Sequence, residues 1–382
     1  MSPVSSLNVL ALEPWLGGSH RAFLESWRAR SAHALEILGL APRSWKWRMS
    51  AGAWELAREI STRAGRAPDA LVVSDYVDLP GLLGFLPASY RSVPTLLYFH
   101  ENQLTYPARP HPSGTESAQE RDHHHGFTNI LSCLRADTVV FNTRYHLDAF
   151  AAAADALLAR LPKPNPRADL AKRLGRAQVV PVGIELEGIP LGPGAPQGRP
   201  LRVAFNHRWE HDKDPATFLR AAREALRRGA RLELALFGER YGDLPPGVPE
   251  LLDELEEVTL QTGFVADRKA YVEALGSCDV VASSARHEFY GVSVLEGLAA
   301  GCRPLLPARL SYPELLPRAL HPEALYDEDQ VMVERLVQAA ATPAPARDPD
   351  RRAAWRAVVT PHAAARTAEE LDRLCAEPVR EA

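Results

Sequence analysis

The stretch 286–301, RHEFYGVSVLEGLAAG, holds residues whose types and spacing could do chemistry. His287 and Glu288 open it, then Phe289 and Gly291. Val292 begins VSVLEGLAA, which reads as a helix with Glu296 inside it, eight residues after Glu288. That spacing sets one carboxylate in the loop before the helix and the other one to two turns in. Between them the helix N-terminus offers unpaired backbone N–H groups and the positive end of its dipole, a ready seat for phosphate. A carboxylate only accepts hydrogen bonds, so it suits sugar or ribose hydroxyls while the N–H groups suit a diphosphate. The competing reading is a helix whose Glu faces solvent, and this stretch alone leaves both open.

The elements around it repeat one plan, an apolar strand followed by a polar loop and a helix. In LRVAFNHRWEHDKDP a strand at 201–206 ends in a loop with Arg208 and Lys213, and Pro215 opens the next helix. Two cations beyond the C-terminal end of a parallel strand can neutralise a diphosphate leaving group. RLELALFGER repeats the plan and places Gly238 after its strand. EVTLQTGF and CDVVASSARHEF give two more units, GCRPLLP (301–307) another strand, and Phe264 could pack against a base. In the first half, LNVLAL breaks into EPWLGGSH. Gly17 and Gly18 form the turn and Ser19 the N-cap of a helix from His20 to about Arg30. Glycines there let a phosphate or sugar approach the backbone, or serve only a tight turn. HALEIL at 33–38 is strand-like. Trp45, Lys46, Trp47 and Arg48 precede a helix over about 49–64; they could stack a base and hold a phosphate, or be core anchors beside a solvated face.

Residues 70–74 and 94–100 read as buried parallel strands. The second ends in HENQLTYP, so His100, Glu101, Asn102 and Gln103 lie just past a strand's C-terminal end, where open α/β sheets bind ligands. The Pro/Ser/Gly-rich stretch 108–116 is expected to be a mobile loop. His123, His124 and His125 invite a metal, but adjacent helical residues point in different directions and do not readily share one ion. FTNILSCL reads as a helix, DTVVFN as a strand, and a further helix starts near Thr143. The segment 163–176 reads as a hairpin of short helices and AQVVPVGI as the last strand of the first domain. Expected boundaries are a first domain at 1–185, a Gly/Pro-rich linker at 186–200 and a second domain at 201–360. A C-terminal amphipathic helix, 361–382, is expected to cross back to the first domain.

The 382 residues suit two domains, and 46% hydrophobic with 24% charged residues allow full cores. No apolar run reaches about 18 residues, and the N-terminus lacks the basic region of a signal peptide. Four scattered cysteines, Cys133, Cys278, Cys302 and Cys375, suit buried thiols in a reducing, cytoplasmic setting. Net charge is −4, unlike strongly basic nucleic-acid binders, with a slight basic excess only in the first half.

The order of an α/β half with a glycine turn, a linker, and an α/β half with two glutamates eight apart resembles the retaining glycosyltransferases of the GT-B fold, family 4. A closer resemblance lies in EPWLGGSH at 13–20, WKWR at 45–48 and YFHENQLTYP at 98–107. It continues through ERD with ILSCLRAD across 120–137, HRWEHDKDP at 207–215, and ARHEFYGVSVLE with SYPE. These are similar to the tRNA-queuosine α-mannosyltransferase family, over almost the whole chain. The histidine triplet departs from that family, which carries aromatic and amide residues there; this argues against a metal role.

The resemblance implies two Rossmann-like domains whose parallel sheets face an interdomain cleft. It implies transfer of mannose, with retention, from GDP-mannose to queuosine in the anticodon of tRNA-Asp, without a metal cofactor or a membrane. Arg208 and Lys213 would hold the diphosphate, Glu288 the sugar hydroxyls and Glu296 the ribose. Gly17 and Gly18 would admit the phosphates, with Gly238, Phe264, His287, Phe289, Gly291 and Val292 completing the donor set. His100 would face the reacting carbon, with His20, Trp45, Lys46, Trp47, Arg48, Asn102 and Gln103 on the acceptor side. Alternatives are a family 4 transferase acting on a lipid, glycan or small metabolite, and a non-catalytic module binding nucleotide-sugar or RNA.

Overall fold

The structure, a computed structural model, describes residues 6–63, 66–107, 117–240 and 244–377, with 117–122 as backbone only. The stretch 108–116, expected to be a mobile loop, lies outside the described residues. The chain divides into two compact units. One runs to Gly183 and resumes at Ala364; the other is Ile184–Ala363.

The first unit is built on β1 (Asn8–Glu13), β2 (Ala34–Gly39), β3 (Ala70–Ser74), β4 (Thr95–Phe99), β5 (Thr138–Phe141) and β6 (Gln178–Val179). They form one parallel sheet in the order β2-β1-β3-β4-β5-β6. Successive strand residues point to opposite faces, and both faces are apolar. Leu10, Leu12, Leu71, Val73, Leu97 and Phe99 join one core, while Val9, Ala11, Val72, Leu96 and Tyr98 join the other. The helix Gly18–Arg30 is capped by the backbone of Gly17; Ser19, expected as the cap, sits in its first turn. A Cβ at Gly17 would meet Pro42 at 2.5 Å, so the close packing there selects glycine.

The helix expected near 49 starts at Trp45 and runs to Ser61, with Ser44 left-handed before it. The four residues WKWR carry no capping signature, which is why sequence periodicity places the start late. Likewise 163–176 holds one helix, Arg167–Leu174, rather than a hairpin of helices. The C-terminal helix Ala364–Ala376 belongs to the first unit. Asp372 ties it down by accepting from Trp27 Nε1 (2.7 Å), Ser31 Oγ (2.6 Å) and the Ala32 amide (2.6 Å).

The second unit carries β7 (Leu201–Asn206), β8 (Leu232–Phe237), β9 (Thr259–Gly263), β10 (Val280–Ala282), β11 (Arg303–Pro307) and β12 (Leu325–Tyr326). Its parallel order is β12-β11-β10-β7-β8-β9. Leu201, Val203, Phe205, Leu234, Leu236 and Val280 share a core. The Gly/Pro-rich stretch 186–200 is packed within this unit. Ile189 and Ala195 are buried, and Arg347 donates to the carbonyls of Pro196, Arg199 and Pro200 while pairing with Asp279. Among the described residues no helix is long and apolar enough to cross a membrane.

Each strand order contains a switch point, between β1 and β3 in the first unit and between β7 and β10 in the second. There the chain leaves neighbouring strands in opposite directions, opening a crevice at their C-terminal ends where ligands bind.

Candidate active site

In the second unit the loop after β7 and the loop after β10 meet across the switch point. The amides of Arg286 and His287 both donate to the Asp212 carbonyl, at 2.8 and 3.1 Å. Ser284 Oγ donates to the carbonyl of Asp214 at 2.8 Å, and Arg286 Nε to the Asp214 carboxylate at 2.8 Å. These bonds hold Lys213 against the second loop. Its Nζ donates to the His287 carbonyl (2.9 Å) and to Glu288 Oε2 (3.1 Å), and lies 3.2 Å from Asp212. Lys213 is buried, and burial works against its charge, yet Glu288 and Asp212 outweigh that and raise its pKa. Burial likewise opposes charge on Glu288, but Lys213 and the neighbouring donors hold it down at about 2. His207 and His287 go the other way: burial, with Lys213 nearby, lowers each to about 4, so both rings are neutral near pH 7.

Asp214 takes a left-handed φ of 48° and caps the helix Pro215–Arg227 by accepting from the Thr217 amide, which fixes where Lys213 ends. Arg208 is half exposed, with its guanidinium 3.1 Å from Glu210. Gly238, with φ +110°, lets the exits of β7 and β8 approach: a Cβ there would meet the His207 carbonyl oxygen at 1.9 Å. The helix Val292–Ala299 starts from Gly291 at φ +100°. Glu296, in its second turn, accepts from Tyr271 Oη at 2.6 Å and pairs with Arg268 at 2.7 Å. Asn206 at the end of β7 donates to Tyr271 Oη (2.7 Å) and to the Ser293 carbonyl (2.8 Å), locking the tyrosine to that helix. A cation, two carboxylates and a helix N-terminus thus converge where β7 and β10 end. That set can hold an anionic diphosphate between two groups that accept from hydroxyls.

In the first unit the switch point is also polar. Glu13 ends β1, is buried, and receives His20 Nδ1 at 2.9 Å. Burial would lower the His20 pKa, but Glu13 raises it to about 9, making a buried ion pair. The His100 ring lies 4.2 Å from that of His20, and burial together with the His20 charge keeps His100 well below its ordinary value. Asp75, just past β3, accepts from the amides of His100 (2.8 Å) and Glu101 (3.4 Å). Burial, then the Glu101 charge, pushes its carboxyl up. Glu101 accepts from Tyr76 Oη (2.7 Å) and Gln103 Nε2 (2.8 Å). Trp45 stacks on Tyr76 at 6.5 Å and lies 5.7 Å from the His125 ring.

The structure therefore gathers Lys213, His287, Glu288 and the start of the 292–299 helix in one place, and His20 with His100 in another. It separates others. Phe264 follows the edge strand β9, two strands from β7, and is 66% exposed. Arg48, expected to hold a phosphate, is buried; it donates to the Ala41 carbonyl and pairs with Glu55 at 2.6 Å, so its charge is already spent inside the fold. Asn102 is a turn-former: its Oδ1 accepts from the Leu104 and Thr105 amides. Phe289 is buried against the His287 ring. His123 and His124 are exposed while His125 is buried. Among the described residues the group near enough to share an ion is Glu13, His20 and His100. Within it His20 Nδ1 is already engaged by Glu13 at 2.9 Å. Sequence reasoning missed Glu13, Asp75 and Tyr271. Glu13 and Asp75 did have a signal, a carboxylate at the C-terminal end of an apolar strand, whereas Tyr271 sits on a helix with nothing local to mark it.

Known proteins resemble this chain at both levels. Residues 8–184 match the family described as tRNA-queuosine alpha-mannosyltransferase N-terminal. The tRNA-queuosine alpha-mannosyltransferase of Drosophila melanogaster is 29% identical over 340 residues, 86% of each chain. Among solved structures, Anabaena HepE in complex with UDP and glucose superposes with a TM-score of 0.62 at 12% identity, covering 96% of this chain and 98% of HepE. TarM superposes at 0.56 and 10% identity; 86% of this chain is covered, which spans 58% of TarM. Two parallel six-stranded α/β units with these neighbours make the fold GT-B.

Proposed function

We propose that this chain, which belongs to the tRNA-queuosine α-mannosyltransferase family, transfers mannose from GDP-mannose to queuosine in the anticodon of tRNA-Asp, with retention. It is an enzyme, a hexosyltransferase. The observation that carries the donor half is the Lys213–Glu288 pair at the switch point of β7 and β10. Arg208 and Lys213 receive the diphosphate, with the first amides of the 292–299 helix beside them. Glu288, charged and held in place, accepts from the sugar hydroxyls, and Glu296 from the ribose. In the first unit Glu13, His20, His100 and Glu101 take the cyclopentenediol.

In the step itself the bond from the anomeric carbon to the β-phosphate oxygen breaks, and its electron pair leaves with GDP. The acceptor hydroxyl forms the new bond on the same face through an oxocarbenium-like state, and its proton passes to the departing phosphate. Cationic side chains stabilise the charge that develops on the leaving group. With Arg208, the buried Lys213 and a helix N-terminus there, the proposed reaction needs no divalent ion.

The test compares thermal shifts. GDP-mannose should raise the melting temperature more than GDP-glucose, UDP-glucose or UDP-N-acetylglucosamine, with and without EDTA, because a ligand binding only the folded state stabilises it. A larger shift with a uridine donor, or loss of the GDP-mannose shift in EDTA, would overturn the donor assignment or the metal-free reading respectively.

A further inference from the structure

We infer that the solvent face of the helix Trp45–Ser61 is the RNA-docking ridge of the first unit, on which unpaired nucleotides stack beside the modified one. This rests on the tRNA acceptor proposed above and names the surface that meets it. Trp47 is 59% exposed and Trp54 44% exposed, large apolar rings left in water on a helix whose other face is fully packed. Trp47, Trp54 and Arg58 stand seven and eleven residues apart, which at 100° per residue places them within about 20° of one direction. Together they form a ridge about 16 Å long, the length of four or five stacked nucleotides.

The cations on and beside this ridge fit a polyanion. Arg43, Lys46 and Arg58 are all exposed. The Arg58 guanidinium lies 4.9 Å from the Trp54 ring and the Lys46 ammonium 5.3 Å from that of Trp45. The helix's inward cation, Arg48, is neutralised by Glu55, while Glu59, about 120° around the helix from Trp47, shares Arg63 with Glu36, so the ridge line itself carries Arg58 and no carboxylate. Alternating rings and cations are the surface that single-stranded nucleic acid uses, the rings taking base faces and the cations the phosphates. The same helix also borders the polar switch point: its first residue, Trp45, on the side away from the ridge, stacks on Tyr76, whose hydroxyl binds Glu101, next to His100. The ridge and the His20–His100 pocket thus belong to the same unit and share one helix, so a loop whose modified nucleotide enters at His100 can lay neighbouring nucleotides on Trp47 and Trp54.

The experiment measures binding of queuosine-containing tRNA to the full chain by fluorescence anisotropy, for wild type, Trp54→Ala, Trp54→Phe and Arg58→Ala. These side chains are exposed, and melting temperature together with the GDP-mannose shift reports that each variant is folded. Trp54→Ala should weaken binding about tenfold and Trp54→Phe should restore most of it, since a phenyl face still stacks. Arg58→Ala should reduce the salt slope by about one. Wild-type affinity in both alanine variants would overturn the ridge while leaving the acceptor class intact. Self-association of the wild type that Trp54→Ala abolishes, with tRNA affinity unmoved, would assign the face to a second copy and also overturn it. A wild type that ignores tRNA but still shifts with GDP-mannose would remove the acceptor class, and the ridge with it.

Discussion

Lys213 and Arg208 are both cations of the proposed diphosphate site, yet the structure sets them under different constraints. Lys213 is buried against Glu288 and Asp212, so Lys213→Ala would leave the buried Asp212 and the mostly covered Glu288 without their partner and cost about 3 kcal/mol. Urea denaturation should show that loss directly. Arg208 is about half exposed, and Arg208→Ala should stay within about 1 kcal/mol of wild type while lowering kcat on the order of a hundredfold or more. If transfer by Arg208→Ala matched wild type, that residue would leave the mechanism. The titrating groups add a pH signature of definite sign. The His20 pKa is raised from 6.5 to about 9, so its stabilisation is complete below 6.5 and disappears as pH rises through 9. His207 and His287 are lowered to about 4, so the unfolded chain binds more protons between 6.5 and 4 and stability falls as pH drops across that window. Melting temperatures from pH 4 to 10 should trace both limbs, and His20→Gln should flatten the alkaline one relative to wild type. Of these residues, Lys213, Glu288 and His100 were legible because each follows an apolar strand within a polar run. Arg48 was misleading because its partner Glu55 stands seven residues on, and nothing local reveals that the pair turns inward.

At the scale of elements, the sites depend on strand exits being brought close and held. Gly238→Ala should be strongly destabilising, because its Cβ would overlap the His207 carbonyl and its φ of +110° suits only glycine. Gly18→Ala, at φ +50° with open space around the new methyl, should cost only about 1 kcal/mol. Equal midpoints for the two in thermal melts would contradict the proposed packing of the β7 and β8 exits. Asp372→Ala should remove about 1–3 kcal/mol, since it leaves Trp27 Nε1 and the Ala32 amide without their acceptor where the last helix docks. The twelve strands among the described residues are nearly all visible in the sequence as short apolar runs, the mark of strands covered on both faces. Helix starts were less so. Trp45–Ser61 opens without a side-chain cap, and the Gly18–Arg30 helix is capped by backbone alone, leaving the sequence little to show at either point.

For the whole molecule, the family relationship and the two switch points support the proposal of a glycosyltransferase whose second unit would grip a nucleotide-sugar and whose first unit would receive a tRNA nucleotide. The two α/β units were legible from the repeated strand–loop–helix plan, and the GT-B fold from the family resemblance. The proposed acceptor was not, since a chain of net charge −4 does not announce nucleic acid, and the aromatic ridge with its nearby cations is a local feature of one helix. The decisive measurement is to incubate the full chain with GDP-mannose and queuosine-containing tRNA-Asp, then weigh the nucleosides released by digestion. The account predicts a single hexose increment on queuosine, and none when guanosine occupies that position. No increment under these conditions, with mannose passing instead to a lipid, glycan or small metabolite, would contradict it.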